Sequence, residues 1–295
     1  MAEITAQMVK TLREQTGVGM MECKKALQEA EGDLERAGNI LREKGAAKAV
    51  KRAGRATKEG LIQAQLSADK KNGAMVEVNI ETDFAARSER FGIMVDMICK
   101  AALENQTEDA EALKNAEVDG KKIETEMKDA QAAIGENMGI NRVATSSVEA
   151  DGLIHTYIHP PGKVGVMLTL KTESPEVADN QATDDLAHEI CLQIAFSNPV
   201  SIDTSSIPED VVNAEKEVYR KTAINEGKPE KIIDKIVEGK MKAFYKEHCL
   251  LYQAYVKEEK QSIQELIDQV AREAGGKIEI VKFDRFELGG GEGEE

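Results

Sequence analysis

Tryptophan is absent, and the aromatic share of the 295 residues is only 4%. With 32% charged residues, this argues against one large core and for several modest ones. Cysteine is sparse: Cys23, Cys99, Cys191 and Cys249 stand far apart, without a C-x-x-C and without a histidine at zinc-ligand spacing. A disulfide scaffold or zinc site is therefore not expected. Reduced, mostly buried thiols and a cytoplasmic compartment are. Histidine is also scarce. His155 and His159 share one face of a putative strand, but the sequence assigns no third ligand, so no metal and no cofactor is expected. Apolar runs are too short to span a membrane, and the first residues lack a signal-peptide core. Positive charge is in deficit, with 39 basic against 54 acidic residues and a net charge of −15. Such a chain repels phosphate backbones, so direct nucleic-acid binding is disfavoured. The basic run from Arg42 to Lys58 is the local exception and reads as a solvated helix end and linker. Nucleophile elbows, Walker loops and dinucleotide fingerprints are missing. Abundant carboxylates do not make an acid/base pair, so covalent catalysis has no motif behind it.

What is present is organisation. Residues 4–16 carry Met8, Val9 and Leu12 at helical spacing. Gly17-Val18-Gly19 breaks that helix, and a second runs from Met20 to Ala30. Asp33 is placed to cap a third, with Ala37, Ile40 and Leu41 inward and Gly45 as its end. A three-helix unit this small has a thin core and suits partner binding. The middle repeats itself. Gly60-Leu61-Ile62 recurs as Gly152-Leu153-Ile154, and the same offset aligns Gly73 with Gly165, Met75 with Met167, Glu81 with Glu173 and Cys99 with Cys191. Each copy reads strand, turn, strand, loop, helix. The turns fall at Asn72-Gly73 and at 160–163, the helices at 91–103 and 184–196. A helical hairpin follows, opened by Pro208 and turned at Gly227-Lys228-Pro229. Val211, Val212, Val218 and Tyr219 form one apolar stripe, and Ile232, Ile233, Ile236, Val237, Met241 and Phe244 the other. Ser262-x-x-Glu265 is a capping box, residues 277–283 add a strand to the second lobe, and the glycine-glutamate tail is expected to be disordered. The fold class is α+β: small antiparallel sheets backed by helices.

One short run stands out. The alternating strand Met75–Ile80 leads directly into Glu81-Thr82-Asp83-Phe84-Ala85-Ala86-Arg87. Strand ends often carry function. Phe84 lies seven residues before Phe91, so on one continuous helix both rings would share a core face. Alternatively, Phe84 is an exposed ring that wedges into a partner with Asp83 beside it. Thr82 or Asp83 serves as a helix cap in either case.

Several motifs fall in order across nearly the whole chain: Ile4-Thr5 through Thr16-Gly17-x-Gly19-Met20-Met21-x-Cys23-Lys24-Lys25-Ala26-Leu27, Val76-x-Val78-Asn79-x-Glu81-Thr82-Asp83-Phe84, Ile134-Gly135-Glu136-Asn137, the strand from Gly152 to His159, Gly227-Lys228-Pro229, Val237-Glu238-Gly239-Lys240-Met241 and Arg285-Phe286-Glu287. In these the chain resembles the translation elongation factor Ts family. The resemblance implies guanine-nucleotide exchange on elongation factor Tu without covalent chemistry. It also implies a ubiquitin-associated-like head (1–54), core subdomain N (55–147), core subdomain C (148–205 and 249–288), an inserted coiled-coil hairpin (206–248) and a disordered tail (289–295). Thr82, Asp83, Phe84 and Ala85 would form the motif that displaces Mg²⁺ coordination in the partner, Phe84 as wedge and Asp83 assisting. Further contacts are implied for Val18, Gly19, Met20 and Met21, for Ile134, Gly135, Glu136 and Asn137, and for His159. The implied partner is elongation factor Tu, GDP-bound and nucleotide-free, in a possible 2:2 assembly with no nucleic acid and no membrane. Many bacterial members continue past Arg-Phe-Glu into a helical module, where this sequence has Gly and Glu after Leu288. The alternative is a scaffold or chaperone that binds partners through its head without releasing nucleotide.

Overall fold

The computed structural model describes residues 4–52 and 54–290. Helix α1 (Ala6–Thr16) starts where the Thr5 hydroxyl accepts from Met8 N, and ends at Gly17 in the left-handed region at φ +70°. Helices α2 (Met20–Glu29) and α3 (Leu34–Arg52) complete the head. Val9, Leu12, Cys23, Leu27, Ala37 and Leu41 fill its small core. Gly45 does not end α3. A Cβ there would lie 2.7 Å from Ala132 Cβ, so this glycine admits a close helix crossing. The interior-glycine penalty is only about 1 kcal/mol. The basic run is partly engaged: Arg42 reaches Asp129 at 3.5 Å and Lys44 reaches Glu29 at 2.6 Å.

Strands β1 (Glu59–Leu66) and β2 (Asn72–Ile80) form an antiparallel pair. The turn between them is 67–71, not Asn72-Gly73, because both of those residues already lie in β2. After β2 come α4 (Asp83–Ala86), α5 (Glu89–Asn105), α6 (Ala110–Asn115), the short pair β3 (Glu117–Val118) and β4 (Lys121–Lys122), α7 (Ile123–Ile134) and β5 (Met138–Ser147). β5 joins the far side of β2, so the first sheet runs β1-β2-β5. Phe91, Ile98, Val76, Val78 and Ile80 lie at the centre of its core.

The second lobe begins with β6 (Gly152–His159) and β7 (Val164–Thr172), followed by α8 (Pro175–Ala178) and α9 (Gln181–Ser197). The hairpin α10 (Glu209–Asn225) and α11 (Glu230–His248) comes next. Then follow β8 (Ala254–Tyr255), β9 (Glu258–Ser262), α12 (Ile263–Ala274) with its Ser262/Glu265 capping box, and β10 (Ile278–Glu287). β10 pairs with β7, giving the order β10-β7-β6. In the hairpin seam Val212, Tyr219, Ala223, Ile233, Val237 and Met241 face inward. Val211, Val218 and Ile232, expected in the stripes, face solvent.

The duplication is deeper than the sequence suggested. α4, α5 and the left-handed cap Gln106 map at one offset onto α8, α9 and the left-handed cap Asn198. Beyond the inserted hairpin, a second offset carries Ile123 onto Ile263, Gly135 onto Gly275 and the strand β5 onto β10. Even the bulges coincide. Asn141 is the extra residue in β5, and Val281 takes the corresponding place in β10.

The two lobes meet through equivalent residues. Ile62 N donates to Gly162 O at 2.8 Å, and Ile154 N donates to Lys70 O at 2.9 Å. Each lobe's hairpin turn thus completes the edge strand of the other. Ile62, Met75, Ile154, Met167 and Phe286 form a shared core between the sheets. The fully buried Glu77 accepts from Arg142 Nε at 2.8 Å and from Gly289 N at 3.2 Å. The Arg142 guanidinium lies 4.4 Å over the Phe286 ring. Gly289 and Gly290, placed by the sequence in the disordered tail, form a turn on this cluster. The remainder of that tail, 291–295, lies outside the described residues.

Candidate functional site

β2 leaves the first sheet at Ile80, and the next seven residues build the site. Glu81 Oε1 accepts from Asn137 N at 2.6 Å, while Arg55 Nη1 reaches Glu81 Oε2 at 3.1 Å. Thr82 is extended (φ −129°, ψ 154°) and its hydroxyl oxygen accepts from Ala85 N, which starts α4. Of the two cap candidates the sequence allowed, Thr82 serves. α4 lasts a single turn. Ser88 then restarts the chain: its hydroxyl donates to Ala85 O at 2.7 Å, and its Oγ accepts from Phe91 N at 3.3 Å as the cap of α5. The break resets the helical rotation between the two rings. Phe91 turns inward and is fully buried, whereas Phe84 turns outward and is 84% exposed. Of the two readings the spacing allowed for Phe84, the core one is excluded.

Asp83 lies in the first turn of α4 and pairs with Arg87 at 3.1 Å on the surface, a geometry that contributes little stability. Ala85 is buried beneath the turn. The family resemblance implies that the loop 134–137 and the Thr-Asp-Phe run touch a common partner. They also touch each other. α7 ends at Gly135, left-handed at φ +89°, and the next residue projects a carboxylate back toward the motif. Thr82 N donates to Glu136 Oε2 at 3.0 Å, and the Thr82 hydroxyl donates to Glu136 Oε1 at 2.8 Å. Asn137 Nδ2 also donates to Arg55 O at 3.2 Å. The two bonds to the Glu136 carboxylate are charge-assisted, the stronger class. An otherwise frail helical turn is therefore tied to a loop from the opposite edge strand.

The other expected residues stand apart. Gly19, Met20 and Met21 are exposed on the head, the methionines at 56% and 67%. Val18 is not available: it is packed in the head core, and its carbonyl accepts from Cys23 Sγ at 3.3 Å. The valine follows the turning glycine Gly17, which directs its side chain inward. His159 is exposed at the end of β6, with Tyr157 Oη 2.8 Å from its Nδ1. His155 lies on the same face of β6, 3.3 Å from both Asp184 Oδ1 and His188 Nδ1. Burial lowers its pKa, outweighing the Asp184 carboxylate. Among the described residues no group of three His, Cys, Asp or Glu side chains is placed to hold a metal, and no helix is long and apolar enough to cross a membrane. All four cysteines are free and buried. A cavity of about 640 Å³ lies elsewhere, near the base of the hairpin, with Asp203, Lys246, Glu259 and Lys260 in its walls. The candidate site is thus a protruding aromatic ring on a braced turn, suited to insertion into another molecule.

Sequence reasoning missed the bracing. Ser88-x-x-Phe91 carried a capping signal that would have separated α4 from α5. The Glu81, Glu136 and Arg55 contacts join residues distant in sequence and had no local signal.

The family model for Elongation factor TS matches residues 81–290. The chain belongs to the elongation factor Ts family. The elongation factor Ts of Clostridium botulinum (strain Alaska E43 / Type E3) is 43% identical over 289 residues, spanning 98% of this chain and 94% of its own length. That of Aquifex aeolicus (strain VF5) is 44% identical over 295 residues, spanning 97% and 98%. That of Desulfovibrio desulfuricans (strain ATCC 27774 / DSM 6949 / MB) is 43% identical, spanning 98% and 99%.

Proposed function

We propose that this chain is a guanine-nucleotide exchange factor of elongation factor Tu in translation elongation, with Phe84 as the wedge. The observation that carries the mechanism is the 84% exposure of Phe84 on a turn braced from both sides. In a GTPase, Mg²⁺ bridges phosphate oxygens and neutralises their charge, while the P-loop cradles them. A ring driven between the helices that hold the metal weakens that neutralisation. Asp83, beside the ring, assists by competing for the metal's surroundings. Nucleotide then leaves without any covalent step, so the chain is an exchange factor and not an enzyme of bond chemistry. Linkage makes the effect reciprocal: bound GDP weakens the factor by the same free energy with which the factor weakens GDP. Couplings of this kind are typically about 1–3 kcal/mol, and an aromatic anchor is the kind of residue that supplies them.

The other parts follow. The three helices of 1–54 act as a ubiquitin-associated-like head whose Gly19, Met20 and Met21 meet the GTPase at a second edge. Subdomain N (55–147) carries the wedge. Subdomain C (148–205 and 249–288) presents His159, and 206–248 is a coiled-coil arm. Partner binding spans the GDP-bound and nucleotide-free forms in the cytoplasm. The exposed Val211, Val218 and Ile224 on the arm support a 2:2 assembly. The test is release of fluorescent GDP from loaded elongation factor Tu. Acceleration by catalytic amounts of this chain is the expected result, and an unchanged release rate at saturating factor rejects the reading.

A further inference from the structure

The duplication supplies an internal comparison for the bracing of this turn. Glu173 is the counterpart of Glu81 and Lys277 that of Asn137, and their bond recurs, with Lys277 N donating to Glu173 Oε2 at 3.0 Å. Val177, the counterpart of Ala85, is buried like it. These parts occur in a copy that has Glu176 where the first has Phe84. They are what the fold needs to close a strand end onto the loop after a helix. The Thr82–Glu136 pair has no such counterpart. The second copy has Ser174 and Gly276 at those places, and Ser174 makes no side-chain cap bond. What the first lobe adds to the common scaffold is thus a carboxylate, the threonine that it holds, and the ring.

We propose that Glu136 is a positioning residue for nucleotide exchange, acting through Thr82 to aim Phe84. This rests on the wedge reading above. Each of its carboxylate oxygens already accepts a bond from Thr82, one from the N–H and one from the hydroxyl, so the side chain is held inside its own molecule. A single helical turn is not stable by itself. Glu136 supplies the anchor while leaving the ring uncovered. Ordering the turn beforehand removes a cost that docking would otherwise carry.

The test is a double-mutant cycle in GDP release from elongation factor Tu, with full-length Glu136→Ala, Phe84→Ala and the double variant. Glu136→Ala is expected to slow release about tenfold, the scale of one hydrogen bond to a charged group. The double variant is expected to be no slower than Phe84→Ala alone, because Glu136 acts only through the ring. Glu136→Gln keeps an acceptor for Thr82 N–H, should recover most of the rate, and carries the same cycle where the alanine variant does not fold. Losses that multiply in the double variant would overturn the proposal, since Glu136 would then act independently of Phe84. So would a wild-type rate for Glu136→Ala. A silent Phe84→Ala has a different signature: it removes the wedge itself, and the proposal with it.

Discussion

Two phenylalanines seven residues apart have opposite fates because one serine stands between them. Phe91 is sealed in the first core and Phe84 is bare. Phe84→Ala is therefore expected to leave the melting temperature unchanged while slowing GDP release by about tenfold or more, the scale of a hot-spot residue. Phe91→Ala should instead lose about 3–5 kcal/mol of stability, read from the denaturant midpoint. The seven-residue spacing was legible, but the direction of the ring was not. It depends on the Ser88 cap, a local competitor that a periodicity argument does not see. His155 gives a second residue-scale prediction. Burial lowers its pKa, and on unfolding it returns to its ordinary value of 6.5. The unfolded chain then takes up the proton first, so stability is full above pH 6.5 and falls as pH drops below it. For Asp184 burial raises the pKa, but the hydrogen bond and charge of Lys70 outweigh it and the net shift is downward. Its contribution is present above its ordinary value of 3.8 and is lost at lower pH. A series of urea midpoints should decline in these two stages, and His155→Gln should flatten the first.

At the scale of elements, glycine was the least reliable sign. Gly45 reads as a helix end, yet α3 continues to Arg52 because the missing Cβ makes room for Ala132. Asn72-Gly73 reads as a hairpin turn, yet Gly73 lies in the sheet, where a Cβ would come within 2.9 Å of Ile154 Cγ2. In both places the residue answers a tertiary neighbour rather than the local backbone. Helices with full apolar stripes were legible, because burying one face is a property of the segment itself. The arm shows the boundary of that rule. Val212, Tyr219, Ile233, Val237 and Met241 were identified, the small Ala223 was not, and Val211, Val218 and Ile232 were included although they face water. Met241→Ala, which empties one seam position, should cost about 2–5 kcal/mol. Faster amide exchange is expected in α10 and α11, with the sheets unaffected, since the arm has its own separate core and such units open independently.

For the whole molecule, the governing fact is the pseudo-symmetric meeting of two lobes. A Cβ at Gly73 would strike Ile154 and Met167, and one at Gly165 would strike Ile62 and Met75, in each case within 3.0 Å. Gly73→Ala and Gly165→Ala should therefore destabilise the chain similarly, by about 1–3 kcal/mol as in other overpacked cores, measured by equilibrium unfolding. The sequence carried the first half of the repeat at constant spacing. The second half escaped because the inserted arm changes the offset between Gln106/Asn198 and Ile123/Ile263. The bracing of Phe84 escaped for a related reason: its partners come from opposite ends of one lobe.

The exchanged turns also bear on synthesis. The edge-strand amide of Ile62 must wait for the carbonyl of Gly162, so a nascent chain that has delivered the whole first lobe from the ribosome still holds an open edge. That edge closes once the second hairpin has emerged, so the first lobe is finished only after part of the second has been made.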